Sequence, residues 1–514
     1  MSSDVELKGP DLAKDGVAAK EVAEGAMLLG HAEGEPVLLA RSQGKLYALG
    51  AVCSHYGGPL AEGILVGDQV RCPWHHARFC LKDGKARAPA LNPVTCWKVD
   101  ETAGRARVTG KASAAPAAKA PAKGPSSVVI VGAGAAGNAA AELLRDQGYA
   151  GPVTMLGGDE SLPVDRPNLS KDYLAGNAQE EWIPLRGKEF YAEKKIELLL
   201  GTRATKIDPK TKTVTLASGK TLQYGALLLA TGAEPNKLSI PGADLSHVYT
   251  LRTLADSRAI IVRAMKAKRA VVVGASFIGL EVAASLKQRG LEVHVVAPES
   301  IPLERILGKE VGELVRKVHE EKGVVFHLGD SPVSITEGKV ALKSGASLEA
   351  ELVVAGVGVR PALEVAQDAG LAVDKGIIVD EYLQTSAKDV YAAGDIARYP
   401  DRWTGGKIRI EHWVVAERQG QAAARNMLGE KVKFADVPFF WSNHFDLGIS
   451  YVGHAEKFDK VQVAGDLRKR DAIVAYREAG IIRAIATIGR DKSSLEAEAA
   501  FERDDREALE RLLK

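Results

Sequence analysis

The sequence predicts a multidomain chain: an N-terminal all-β domain, two α/β domains built on parallel sheets, and a C-terminal α+β domain. Three observations carry that reading. All four cysteines (Cys53, Cys72, Cys80 and Cys96) fall in the first hundred residues, among short apolar runs separated by turn residues. Two later stretches, Ser126–Leu144 and Ala270–Leu286, each read as buried strand, glycine-containing turn and helix. Between these regions Val108–Pro125 is rich in Ala, Pro and Lys and lacks apolar periodicity.

The totals agree. A length of 514 residues suggests three to four domains at about 150 residues each. Apolar and charged fractions of 46% and 26% are those of ordinary globular proteins, and a net charge of +2 gives no general pull toward nucleic acid or an anionic membrane. MSSDVELKGPD contains no apolar segment, so no signal peptide is expected. No membrane span is expected either, and the expected location is cytoplasmic.

In the N-terminal part, AMLLG, PVLLA and LYALGAV alternate with turn residues, the pattern of short β-strands. Cys53-Ser-His55 and Cys72-Pro-Trp-His75 follow, two thiolates and two imidazoles on two loops. The set could hold zinc, but one residue between Cys53 and His55 is shorter than the usual zinc spacing. Residues 20–108 resemble the Rieske family, in which two Cys hold one iron and two His the other of a [2Fe–2S] cluster. The resemblance implies Cys53, His55, Cys72 and His75 as ligands. The extra cysteines of high-potential members are replaced here by Gly58 and Trp74, and their Ser and Tyr hydroxyls by Ala77 and Phe79. Fewer donors to the cluster sulfurs imply the low end of the Rieske range, near about −150 mV. His76 stands where the family has glycine; it either tunes the cluster or is an exposed loop histidine, and the second reading is preferred. Cys80 and Cys96 are expected as buried small hydrophobes, a disulfide between them being the alternative.

The predicted domains are 1–108 for the cluster domain, 109–125 for a semi-rigid linker, 126–250 with 384–430 for the first nucleotide domain, 251–383 for the second, and 431–514 for the C-terminal domain. The linker either holds the cluster domain at high local concentration or is a passive spacer.

Gly132, Gly134 and Gly137 form G-x-G-x-x-G between strand and helix, which fits a dinucleotide pyrophosphate on a helix N-terminus. DRPNLSK (165–171), LLLATGAEP (227–235), LRTLAD (251–256) and DVYAAGDIA (389–397) follow at the spacing of flavin reductases. The second Rossmann-type unit carries Gly274 and Gly279, with Ser276 at the middle position. Residues 126–514 thus resemble the FAD-linked ferredoxin reductases of aromatic-oxygenase systems and, more closely, apoptosis-inducing-factor-like proteins with an N-terminal Rieske domain, a glutathione-reductase-like fold. This resemblance implies FAD contacts at Gly132, Gly134, Gly137, Arg166, Lys171, Ala204, Arg252, Gly394 and Asp395, with Glu411, His412 and Trp413 at the flavin edge. It implies NAD(P)H contacts at Gly274, Phe277, Ile278, Gly279, Glu281 and Gly358. Lys171 and Glu281 are the expected catalytic pair, joined near the flavin N5.

Two positions depart from that family. The carboxylate that grips the FAD ribose is replaced by Gly158, so that Asp159 or Glu160 substitutes, or no carboxylate does. In the second unit the matching position is Ala297, with no Lys or Arg up to Glu304 and with Glu299 to repel a 2′-phosphate, so NADH is favoured over NADPH. Toward the C-terminus, VPFFWSNHFDLGISYVG, KVQVAG, AIVAYRE and IIRAIATIG read as strands. Residues 493–514 read as an amphipathic helix with Leu495, Ala499, Leu509 and Leu512 inward and ERDDRE as a solvated face. Trp441 either reaches the nicotinamide side or fills the core.

The expected activity is an NAD(P)H-dependent flavoprotein reductase that passes electrons through FAD to its own cluster and on to an acceptor protein or small oxidant, working as monomer or homodimer. The alternatives are a redox sensor whose reduced flavin–nicotinamide complex controls association, and a quinone or oxygen reductase with the cluster as a side branch.

Overall fold

The computed structural model describes residues 7–113 and 124–514, so most of the predicted linker lies outside the described residues. The described residues form two units. One comprises 7–113 with Tyr451–Gly453 and Arg490–Lys514; the other comprises 124–450 with His454–Gly489.

In the first unit the expected strands Met27–Ala32, Glu35–Ser42 and Lys45–Gly50 join a six-stranded sheet with Cys96–Thr102, Arg105–Lys111 and Val17–Ala18. The strand Arg105–Lys111 carries the domain a few residues past the expected boundary at 108. Side chains alternate across the sheet: Val37 and Leu39 enter a core with Trp97, while Leu38 and Ala40 enter another with Leu60 and Phe79. A four-stranded sheet of Ile64–Val66, Gln69–Arg71, Arg78–Cys80 and Ala86–Arg87 carries the second cysteine loop. The last residues also belong to this unit. They form two helices, Asp491–Glu502 and Arg506–Arg511, rather than one, with a break at Asp504 (φ +54°). Leu495, Ala499 and Leu509 are buried as expected, but Leu513 is buried in place of Leu512.

The second unit holds two five-stranded parallel sheets. The first runs Ile196–Leu199, Val153–Leu156, Val128–Val131, Ala226–Leu229, Val390–Ala392. The second runs Val248–Thr250, Leu352–Ala355, Arg269–Val273, Glu292–Ala297, Val324–Leu328. Because Val390–Ala392 closes the first sheet only after the second is complete, the first nucleotide domain is interrupted by the second, as the motif order implied. Val248–Thr250 starts the second domain slightly before the expected residue 251. Gly137 lets the helix Ala135–Asp146 sit on its strand, since a Cβ there would lie 1.9 Å from the Gly132 carbonyl oxygen. The same helix meets Trp413–Met427 at Gly420, where a Cβ would lie 2.1 Å from the Ala136 carbonyl oxygen. The strands Phe439–His444, Leu447–Gly453, Ile481–Ile488, Asp471–Glu478 and Lys460–Asp466 form a further five-stranded sheet. Among the described residues no helix is long and apolar enough to cross a membrane.

Candidate functional site

The two cysteine loops of the first unit share one backbone pattern. Cys53 N–H donates to the Gly58 carbonyl (2.8 Å) and Gly57 N–H to that of Cys53 (3.0 Å); Cys72 N–H donates to Ala77 (2.8 Å) and His76 N–H to Cys72 (3.2 Å). Gly57 and His76 are therefore equivalent, and both are left-handed (φ +79° and +59°). Glycine is the default residue for that conformation, which gives a physical reason for it at position 76 in the family.

The loops bring the four expected ligands together. Cys53 and Cys72 are buried and hydrogen-bonded to each other, which lowers the Cys53 thiol and raises that of Cys72. The rings of His55 and His75 lie edge to face with centroids 5.0 Å apart. Burial pushes His55 down to about 4, so its imidazole is neutral and able to bind a metal. Among the described residues no three His, Cys, Asp or Glu side chains converge on a single ion. The donors come instead as a thiol pair and an imidazole pair, the set that a [2Fe–2S] centre takes, one pair to each iron. A Cβ on Gly58 would lie 2.7 Å from Cys72 Sγ, so the sulfur pocket has no room for a larger residue there.

Two expectations about this region are corrected. His76 is fully buried, not an exposed loop residue. Cys80 and Cys96 are only half-buried, and they are free thiols. In the ERDDRE run Arg503, Asp504, Arg506 and Glu507 are exposed, as expected of a solvated face, while the first acid, Glu502, pairs with Arg71 and Arg78 (both 2.6 Å).

In the second unit a cleft passes between the glycine turns. It has two lobes, of about 320 and about 390 Å³, which share Gly134, Arg166, Ala230 and Arg252. The first lobe is lined by Gly132, Gly158, Asp159 and Arg203. Asp159, one of the two carboxylates that could replace the missing ribose ligand, lies 3.7 Å from Arg166. Ala204 lines neither lobe; its strand Ala204–Asp208 begins one residue past Arg203, which does.

At the junction, Arg252 pairs with Asp395 at 2.9 Å. Burial and the neighbouring Arg252 charge lower Arg166 to about 10. The Nε atoms of Arg166 and Arg252 are buried without a hydrogen-bond partner. Two adjacent guanidinium groups beside a helix N-terminus fit the pyrophosphate of a dinucleotide.

The second lobe gathers Lys171, Phe277, Ile278, Glu281, Gly358, Gly394, Asp395, Glu411, His412 and Trp413, along with Trp441. Gly274 and Gly279 do not line it. Gly274 makes the turn (φ +107°), and Gly279 lets the helix sit close to it, since a Cβ there would lie 2.2 Å from the Gly274 carbonyl oxygen. Lys171 Nζ lies 2.8 Å from Glu281 Oε2, which also accepts from Ser170 Oγ (2.6 Å). Glu281 Oε1 accepts from Ser442 Oγ at 2.6 Å. Ser442 is 3.2 Å from His444 Nε2, and His444 Nδ1 is 3.3 Å from His319 Nε2. Burial pushes His412 and His444 down to about 3 and His319 well below its usual range, so all three rings are neutral near pH 7. Ser170, Ser442, His444 and His319 were not legible as site residues. The available signal was the i, i+2 spacing of Ser442 and His444, which sets both on one face of a strand.

Comparison with known proteins gives three family matches. Residues 126–420 match the pyridine nucleotide-disulphide oxidoreductases, 15–98 the Rieske [2Fe-2S] domain, and 439–513 the reductase C-terminal domain. Apoptosis-inducing factor 3 of Homo sapiens is 36% identical over 476 residues, covering 88% of this chain and 78% of that protein. The ferredoxin–NAD(+) reductase component of the anthranilate 1,2-dioxygenase system of Burkholderia cepacia is 37% identical over 342 residues, 66% of this chain and 84% of its own. Among solved structures, the covalent putidaredoxin reductase–putidaredoxin complex aligns with a TM-score of 0.72 and 33% identity, covering 75% of this chain and 94% of that one.

Proposed function

Since the chain belongs to the pyridine nucleotide-disulphide oxidoreductase family and carries a Rieske domain, we propose that it moves electrons from NAD(P)H through FAD to its own cluster and on to a ferredoxin-, oxygenase- or cytochrome-type acceptor. The observation that carries this reading is that one polypeptide holds both a two-lobed dinucleotide cleft and a paired-thiol, paired-imidazole site. When bound, the flavin supplies hydride acceptance from nicotinamide and one-electron release to the iron–sulfur centre.

The chain's own residues do the rest. Arg166 and Arg252 neutralise phosphate charge at the lobe junction, and Gly132 and Gly134 admit it close to the backbone. Lys171 and Glu281 hold fixed charge at the flavin edge, where their hydrogen bonds leave little freedom to reorganise. Phe277, Trp413, Phe440 and Trp441 give the same lobe an aromatic lining. Cys53, His55, Cys72 and His75 are the proposed cluster ligands. NADH is the proposed donor because no Lys or Arg lies between Ala297 and Glu304 to hold a 2′-phosphate. The reductases named in oxygenase systems support a protein acceptor.

Anaerobic mixing with NADH or NADPH tests the scheme. The expected result is flavin bleaching followed by a reduced-cluster EPR signal within one turnover, faster with NADH. His75→Ala should abolish that signal and transfer to an added ferredoxin or cytochrome, while flavin reduction persists. A stable flavin–nicotinamide charge-transfer band with an oxidised cluster would refute the relay and favour the sensor. Unimpaired acceptor reduction by His75→Ala would make the cluster a side branch.

A further inference from the structure

The loop that presents Cys72 and His75 is gripped from the opposite end of the chain. It closes between Arg71 and Arg78, which face each other across paired strands. Glu498, on the helix Asp491–Glu502, reaches both: its Oε2 lies 3.1 Å from Arg71 Nη1 and its Oε1 lies 2.9 Å from Arg78 Nη2. The same Oε2 is 3.1 Å from His76 Nδ1, and Ser494, one turn earlier, is 3.1 Å from His76 Nε2. Glu502 adds a second carboxylate to both arginines. His76, Ser494 and Glu498 are 0% exposed, and Arg71 and Arg78 are 2% and 4% exposed.

Burying two guanidinium groups and a carboxylate requires that they remain paired, because an unpaired buried charge is strongly unfavourable. The network therefore has little freedom to rearrange. It also explains a residue that backbone conformation alone disfavours. At φ +59° glycine would be less strained, yet an imidazole stands there with both ring nitrogens in contact with the C-terminal helix. The loop's two ends and its sharpest turn thus all meet one carboxylate.

We propose that Glu498 is a positioning residue of the iron–sulfur centre, fixing the Cys72–His75 ligand loop through Arg71, Arg78 and His76, with Ser494 as its companion. The C-terminal helix is then part of the cluster site. Residues of this kind, which orient ligands without touching the metal, tune both retention and electronic structure. The inference rests on the ligand assignment proposed above.

The test uses the full-length holoprotein and the variants Glu498→Gln, His76→Gly and their combination. The readouts are the rate of cluster loss under a chelator, the g values of the reduced cluster, and FAD content as a check on folding. Each single variant should lose its cluster on the order of tenfold faster and shift the g values, with FAD content unchanged. The double variant should resemble Glu498→Gln, since both changes cut the same tie. Wild-type loss rates and g values in Glu498→Gln with full FAD would overturn the proposal, as would effects that simply multiply in the double variant. If Glu498→Gln does not accumulate, His76→Gly decides, because glycine suits that backbone and removes only the tie: faster loss supports the proposal and a wild-type rate overturns it. A wild-type protein with no Rieske-type signal would instead overturn the ligand assignment.

Discussion

Lys171 and Glu281 meet at 2.8 Å although they come from different nucleotide domains, and the second oxygen of Glu281 is held by Ser442 of the C-terminal sheet. Three parts of the reductase thus converge on one carboxylate that is 3% exposed. Removing the ammonium leaves that buried carboxylate with hydroxyl donors only. Lys171→Ala should slow flavin reduction by NADH at least about tenfold, a barrier increase of about 1.4 kcal/mol or more. Single-turnover absorbance at the flavin band measures it. An unchanged rate constant would remove the pair from the proposed mechanism.

His444 continues this network, and its neutrality has a consequence for stability. Burial, then the charge of Lys171, pushes it down to about 3, against an ordinary value of 6.5. As pH falls below about 6.5 the unfolded chain takes up a proton that the folded chain refuses until about pH 3. Stability is therefore lost on acidification across that window, by up to about 1.4 kcal/mol per pH unit for this one group. Asp165, raised to about 7 by burial, works in the opposite direction over part of the range, so the difference between two proteins is the quantity to follow. His444→Gln should flatten the pH dependence of denaturant stability between pH 6.5 and 4 by nearly one proton. Parallel curves for the two proteins would contradict a neutral buried His444.

Arg252 carries a prediction about cofactor retention. Its Nε is buried without a hydrogen-bond partner at the junction of the two lobes, while another of its nitrogens holds Asp395. A charge-assisted hydrogen bond contributes about 1.5–3 kcal/mol. Arg252→Ala should therefore weaken FAD binding by about ten- to a hundredfold. Equilibrium titration of the apoprotein with FAD checks this, and wild-type affinity would place the pyrophosphate elsewhere.

What the sequence disclosed depended on how far apart the cooperating residues are. Gly132, Gly134 and Gly137, and the pairs Cys53–His55 and Cys72–His75, lie within a few residues of each other, so spacing drew attention to them. The choice between zinc and a cluster for the two pairs came from family resemblance. Lys171 and Glu281 were paired only through family resemblance. Ser442 and His444 carry no local mark of their task, because it is defined by a carboxylate far away in sequence. His76 was read as exposed for the same reason: no pattern near it signals that Ser494 and Glu498 fold back onto it. The helix Asp491–Glu502 was recognised from its periodicity, but periodicity shows that a face is buried without showing which partner covers it. Ala204 missed the cleft by a single residue, where strand alternation decides which side chain faces it.

The crossing of the helices Ala135–Asp146 and Trp413–Met427 offers a test of how the second lobe is braced. Gly420 lies against the Ala136 backbone, and a Cβ would sit 2.1 Å from that carbonyl oxygen, so the helices could not keep their separation. The second helix begins at Trp413, which lines the second lobe, and its Gln419 side-chain oxygen accepts the Gly394 N–H at 2.7 Å. Gly420→Ala gains about 1 kcal/mol of helix propensity. It also incurs overpacking of about 1–3 kcal/mol against a backbone atom that cannot rotate away. The second effect should win, and it should register in the lobe that Trp413 and Gly394 line. The variant should release FAD at a lower temperature than wild type, read from flavin fluorescence on heating. A higher release temperature would mean that the helices part without disturbing the lobe, and that their close approach is not what holds it.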